Sequence, residues 1–261
     1  MATRHWCLDD SPTFRWLELG LVDSTNRYLC GYRPTCEVPL TLATADYQTD
    51  GKGADANHWE SDPGKNLLFS LLWLTTNLPA QRVFTGLEML ALSVLDALND
   101  FAPGFTIKWP NDIYFGDWKV AGTLIENEFA GKRVARSVMG TGINVNQMVF
   151  HSDAPNPRSL AQIVGHEVEL HLVLQGVMYH FARYRRMVEQ EQYDVLHTLY
   201  TSQLYRREGE HAYADSEGTF HARITDVQPD GHLILTDTEG RQRRYAFKEV
   251  RMVPDTNHST Q

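Results

Sequence analysis

Phe105-Thr106-Ile107-Lys108-Trp109-Pro110-Asn111-Asp112-Ile113-Tyr114-Phe115-Gly116-Asp117-Trp118-Lys119-Val120-Ala121-Gly122-Thr123-Leu124-Ile125-Glu126 decides how the rest of the chain must fold. Three strand-like pieces, 105–109, 113–115 and 119–127, follow one another here with no helix between them. Gly116-Asp117-Trp118 supplies a hairpin turn between the second and third. Successive strands without crossovers require antiparallel or mixed pairing, so the chain reads as α+β. Pro110 cannot donate to a ladder, and Asn111 and Asp112 project from the turn that it starts. Strict alternation puts Lys119, Ala121 and Thr123 on one face and Val120, Leu124 and Glu126 on the other. Gly122, in mid-strand, permits close approach of a ligand or of another backbone.

Working outward toward the N-terminus, residues 80–101 show helical periodicity, with Val83, Phe84, Leu87, Leu90, Ala91, Val94, Leu95 and Leu98 on one face. Residues 66–74 form an apolar run fit for a buried strand, and 38–45 alternate as another. A strand over 15–22 delivers Asp23-Ser24-Thr25-Asn26, where Asp23 or Ser24 can cap a helix. Toward the C-terminus, 133–139 reads as a strand ending in a Gly140-Thr141-Gly142 turn, and helices are predicted over 160–164, 170–191 and 193–204. After about Tyr205 the pattern changes. Short alternating runs at 219–227, 232–236 and 244–250, separated by turn residues, predict a small all-β, barrel-like domain. The division is therefore 1–204 for a mixed-sheet domain and 205–261 for the small one.

The 261 residues carry a net charge of −9 and are 42% hydrophobic, enough for a sizeable core. The acidic balance and the lack of a long Lys/Arg run argue against nonspecific nucleic-acid binding. No apolar run approaches the length of a membrane-spanning helix, and the first residues lack the apolar core of a signal peptide. Cys7, Cys30 and Cys36 fit neither a zinc site nor a disulfide framework, so reduced cytoplasmic thiols are expected.

Four segments carry chemistry. Gly51-Lys52-Gly53 follows a strand. Its glycines can turn backbone N–H groups toward an anion and its lysine adds a point charge, although a plain surface loop explains it equally. It is not a Walker loop, because that spacing is absent. Asp112 could hold Mg²⁺ beside a phosphate, or stand in an ordinary Pro-Asn-Asp turn. Lys119, among small neighbours, could meet a ligand carboxylate, or be a solvated hairpin lysine. Gly140-Thr141-Gly142-Ile143-Asn144-Val145-Asn146 offers close backbone approach and an amide that could read a nucleoside, or a strand-end turn.

Taken together with Ser24-Thr25-Asn26, Tyr47-Gln48, Trp59 and Gly64-Lys65-Asn66-Leu67, these segments resemble the biotin protein ligase family. The match is strong from Ser24 to Asn146, and the β tail is similar in position and pattern only. The resemblance implies a mixed-sheet catalytic domain of the biotin/lipoate ligase type. It implies that biotin and ATP, with Mg²⁺, form biotinyl-5'-adenylate, and that biotin passes to a lysine of a biotin carboxyl carrier domain of acetyl-CoA carboxylase or a related carboxylase. Carried over residue by residue, it implies biotin contacts at Ser24, Thr25, Asn26, Gln48, Gly51, Lys119 and Gly122. Nucleotide contacts fall at Lys52, Trp59 (stacking on adenine), Asn111, Gly142 and Asn144. Lys119, Lys52 and Asp112 become the catalytic set, with Asp112 linked to the metal. Two departures stand out: the family loop usually reads Gly-Arg-Gly followed by Arg or Gln, whereas Lys52 and Ala54 stand here, and Ala56 replaces a common Gly. Lysine lacks the planar fork that grips phosphate at two points. Ser24 lies too near the N-terminus for the helix-turn-helix of the repressor members, so a ligase-only form that binds no DNA is expected, with homodimerisation left open. The alternatives are a lipoate or octanoate ligase of the same fold and a non-catalytic binder of biotinyl-adenylate.

Overall fold

A computed structural model describes residues 2–6 (backbone only), 14–34, 38–53, 58–74, 78–151 and 156–253. Cys7, Cys36, Ala54 and Ala56, singled out above, lie outside the described residues. The chain runs β1 (Ala2–Trp6), β2 (Phe14–Glu18), β3 (Leu21–Val22), α1 (Thr25–Gly31), β4 (Leu40–Ala45), β5 (Tyr47–Gln48), β6 (Leu67–Leu74) and α2 (Thr85–Asn99). There follow β7 (Phe105–Lys108), β8 (Asp112–Phe115), β9 (Trp118–Ala130), β10 (Arg133–Ile143), α3 (Leu160–Val164), α4 (Leu170–Glu189) and α5 (Tyr193–Ser202). The tail holds β11 (His211–Asp215), β12 (Gly218–Val227), β13 (Leu233–Asp237), β14 (Gln242–Tyr245) and β15 (Arg251–Met252).

The fold is α+β, as expected. Eight strands form one mixed sheet in the order β1-β2-β4-β6-β10-β9-β8-β7, in which only β2 and β4 run parallel. Five strands form a small antiparallel sheet in the order β14-β13-β12-β11-β15. Helix α2 lies on one face of the large sheet with α4 and α5 outside it, which is why its burial extends well beyond one stripe. Helix α1 covers the other face around Leu17, Leu29, Ala43, Leu72 and Val138. The main core runs without a break from the large sheet and α2 into the small sheet, taking in Tyr213, Val227, Leu233 and Leu235. Among the described residues no helix is long and apolar enough to cross a membrane.

Several boundaries differ from the sequence reading. The strand expected over 15–22 breaks at Gly20 (φ +64°), beyond which β3 leaves the large sheet to pair with β5. The predicted helix over 80–101 starts only at Thr85, because Pro79 opens a 3-10 turn over Ala80–Arg82. Gly140-Thr141-Gly142 is not a strand-end turn: β10 continues to Ile143, pairing Gly140 with Ser70 and Gly142 with both Leu68 and Gly122. The run over 244–250 stops at Tyr245, where Glu249 accepts the Ala246 N–H at 2.7 Å and turns the chain. Strand β11 escaped the sequence reading.

Candidate functional site

A cavity of about 550 Å³ opens where α1, the β5–β6 connection, β8, β9 and β10 meet, within the usual size of a small-molecule site. Ser24, Thr25, Asn26, Gln48, Lys52, Trp59, Asn111, Asp112, Lys119, Gly122, Gly142 and Asn144 all line it. Gly51 does not line it, and stands just behind, where a Cβ would press within 2.9 Å of the Trp59 carbonyl oxygen. Residues 120 positions apart are thus brought to one hole by the pairing of β4, β6, β10 and β9.

At one end stands the start of α1. The detour of β3 to β5 sets Thr25 against Gln48, whose Oε1 accepts from Thr25 N (2.7 Å) and Thr25 Oγ1 (3.0 Å). The Thr25 hydroxyl also lies 2.8 Å from Ser70 Oγ. Ser24 caps the helix, accepting from Arg27 N, and is buried. Arg27 joins Asp23 and Asp50 at 2.6 Å each, tying α1 to the strand end from which the glycine loop departs. That guanidinium holds both carboxyls below the usual carboxylate range. The loop closes on itself through Trp59 N to Gly51 O at 2.8 Å and the antiparallel bridge Lys52–His58.

At the other end the floor is glycine and the cover is Trp59. A Cβ on Gly142 would overlap the indole, and one on Gly122 would stand 3.2 Å from it, so glycine at these two positions leaves room for the ring against the sheet. Lys119 and Asp112 meet at 2.7 Å beside that floor, with Lys119 Nζ 5.9 Å from the Trp59 ring. This arrangement corrects the alternation expected for β9. The β8–β9 register shifts between Ile113 and Tyr114: Asp112 faces Gly122 and Tyr114 faces Lys119, leaving Val120 as the extra residue of a bulge. Asp112 and Tyr114 share a face of β8, so the bulge brings Lys119 onto the face of Gly122, while Ala121 turns into the core. Asn111 donates its amide to the Thr123 carbonyl, which fastens the turn to β9, and the carbonyl of Val120 accepts from Asn144 N at 2.9 Å.

Sequence reading missed several lining residues. Lys108 donates to Tyr114 Oη at 3.0 Å, and burial holds its ammonium below the usual lysine range. Its place in the quoted motif was the available signal. Phe247 and Lys248 reach the cavity from the small sheet, and nothing local in the sequence connects them to residues 108–126. The link is Trp109, whose Nε1 donates to Gly231 O at 3.0 Å and whose ring meets Phe247 edge-on at 6.2 Å. Part of the cavity wall therefore comes from the tail.

Among the described residues no group of three or more His, Cys, Asp or Glu side chains is arranged to hold a metal ion. Magnesium commonly uses one or two carboxylates together with substrate phosphate oxygens. Asp112 fits a metal that arrives with a triphosphate and does not by itself make a protein cage.

The family model described as the Biotin/lipoate A/B protein ligase family matches residues 19–144. A bifunctional ligase/repressor of Bacillus subtilis is 29% identical over 212 residues, 79% of this chain and 64% of the relative. A biotin–[acetyl-CoA-carboxylase] ligase of Paracoccus denitrificans is 29% identical over 161 residues, 58% of this chain and 66% of that one. Among solved structures, a biotin protein ligase from Aquifex aeolicus in complex with biotin and ATP superposes with a TM-score of 0.72 at 25% identity, covering 91% of this chain and 99% of that one. The chain thus spans somewhat under two thirds of the length of the Bacillus relative.

Proposed function

We propose that this chain, whose residues 19–144 match the model of the Biotin/lipoate A/B protein ligase family, activates biotin with ATP and transfers it to a lysine of a biotin carboxyl carrier domain. The observation that carries the reading is the single cavity with two chemically distinct ends. Gln48 spends its oxygen on Thr25, so its Nε2 is the group left for a ligand, beside the hydroxyls of Ser24 and Thr25. That set suits a small polar ring such as a ureido group. The Trp59 indole, seated on the glycine floor, suits stacking against a purine, and Lys119 with Asp112 stands beside that end.

In the first step a biotin carboxylate oxygen attacks the α-phosphorus of ATP, the bond to the β-phosphate oxygen breaks, and pyrophosphate leaves. Two anionic groups must approach, and the work of the protein is to orient them and offset their charge in a site with little water. Lys119 is assigned to the carboxylate and α-phosphate, Lys52 to the closing loop, and Trp59, Gly142, Asn111 and Asn144 to the nucleoside. Asp112 would hold magnesium, which adds positive charge to the phosphates when bound. In the second step the carrier amine attacks the acyl carbon, AMP leaves, and the amine loses a proton. No protein nucleophile is needed. We assign residues 1–204 to the catalytic unit and 205–261 to the small sheet, and place the reaction in the cytoplasm.

The test is incubation with ATP, Mg²⁺, biotin and a biotin carrier domain, with the carrier's mass as the readout. A gain of one biotinyl group is expected. Pyrophosphate release with lipoate and none with biotin would transfer the chain to the lipoate branch.

A further inference from the structure

Glu126 stands on β9 behind the cavity wall and is not among the residues lining the cavity. Its Oε2 accepts from Asn26 Nδ2 at 2.6 Å and from Cys30 Sγ at 3.2 Å, and its Oε1 lies 4.0 Å from Lys52 Nζ. A carboxylate can only accept, so Asn26 must turn its NH₂ group toward Glu126. The amide is then fixed, and Oδ1 is the group left over. Asn26 is 4% exposed, and its Oδ1 has no partner among the described residues. That oxygen faces Gly140, a cavity-lining residue whose Cβ would come within 2.6 Å of it. A buried acceptor left without a donor is costly in the free protein, and the cost is recovered if a ligand N–H fills it. Gln48 shows the converse arrangement, its oxygen consumed and its Nε2 left over. Acceptor and donor are both set from behind, and a cyclic urea offers the complementary pair.

We propose that Glu126 is a positioning residue that holds the Asn26 amide so that Oδ1 receives an N–H of the ligand's ureido ring. The inference rests on the biotin reading above. Cys30 supports it from the same side: burial, with the hydrogen bond to Glu126, pushes its thiol up to about 11, so it remains a donor to the carboxylate rather than a competing anion.

Calorimetric binding of biotin and of ATP to the folded full chain, in wild type and variants, tests the proposal. Glu126→Ala should weaken biotin binding roughly tenfold, the equivalent of one hydrogen bond, and change ATP binding by less than that, since the variant also frees Lys52. Glu126→Gln should recover most of the affinity, because Asn26 and Cys30 both donate at that point and draw the glutamine oxygen inward. The double variant Asn26→Ala/Glu126→Ala should bind biotin no worse than Asn26→Ala alone, since Glu126 acts through Asn26. Glu126→Met, which keeps the length and removes the acceptor, replaces the alanine variant if that one does not fold. Biotin affinity of Glu126→Ala or Glu126→Met equal to wild type would overturn the proposal. So would losses that add in the double variant, or a glutamine variant as weak as alanine. Wild type that binds no biotin at all would instead remove the biotin reading on which the proposal depends.

Discussion

Lys119 and Asp112 hold each other at 2.7 Å, so the fold itself positions the charge that we assign to the phosphate. Such preorganisation removes a reorganisation step from the reaction, and one donor of this kind is typically worth about 10²–10³ in rate. Lys119→Ala should therefore lower single-turnover adenylation by that factor while the melting temperature stays close to wild type; near-normal turnover would make Lys119 a bystander. Gly142 invites a second substitution. An alanine methyl would intrude to 2.3 Å on the Trp59 indole and lift it from the floor. Gly142→Ala should weaken ATP binding more than tenfold and leave biotin affinity within a few-fold, measured separately by calorimetry. Equal weakening of both would show that the floor serves the whole cavity.

Helices α2 and α5 meet through a buried carboxylate. Glu88 is 2% exposed, and His197 Nδ1 lies 2.5 Å from its Oε1, while the other ring nitrogen stands 4.0 Å from Asp226 on β12. Arg82, in the 3-10 turn, adds positive charge near Glu88. The Glu88 hydrogen bond raises the folded pKa of His197 above its ordinary 6.5, and burial raises that of Glu88. The histidine contribution is fully present below about pH 6.5 and fades as pH rises through the raised value. Glu88, whose charged form is disfavoured in the fold, moves stability the same way. Urea midpoints should therefore fall between pH 6 and pH 8, and His197→Gln should flatten that slope at a cost of about 1–3 kcal/mol at pH 6, because Glu88 can take up a proton rather than stay charged and unpaired. An unchanged slope would place the titration elsewhere. Little of this junction was legible in the sequence, since Glu88 and His197 sit more than a hundred positions apart on helices whose periodicity was clear. The hairpin over β8 and β9 was legible because its turn chemistry is local. The bulge at Val120 was not, since it depends on which strands flank β9, and neither was the length of β10, whose glycines look like a turn until Leu68, Ser70 and Gly122 are seen opposite them.

Across the whole molecule, the small sheet is part of the same core and of the same cavity wall. Phe84 packs against Gly231, Trp109 donates to the Gly231 carbonyl, and Phe247 and Lys248 look into the cavity. Truncation from Arg206 strips Tyr213, Val227, Leu233 and Leu235 from a continuous apolar cluster. The shortened chain should be insoluble or markedly destabilised, and a soluble, cooperatively folding fragment with unaltered ATP affinity would show that the contacts are dispensable. Because the cavity gathers side chains from residue 24 through residue 248, no contiguous stretch of the chain carries a binding site of its own. Mass action then couples occupancy to integrity. A ligand that binds only the native form, at about one hundred times its dissociation constant, adds roughly 2.7 kcal/mol to the free energy of unfolding. The protein in a cell well supplied with its small molecules would thus unfold less often, and survive proteolysis longer, than the same chain starved of them.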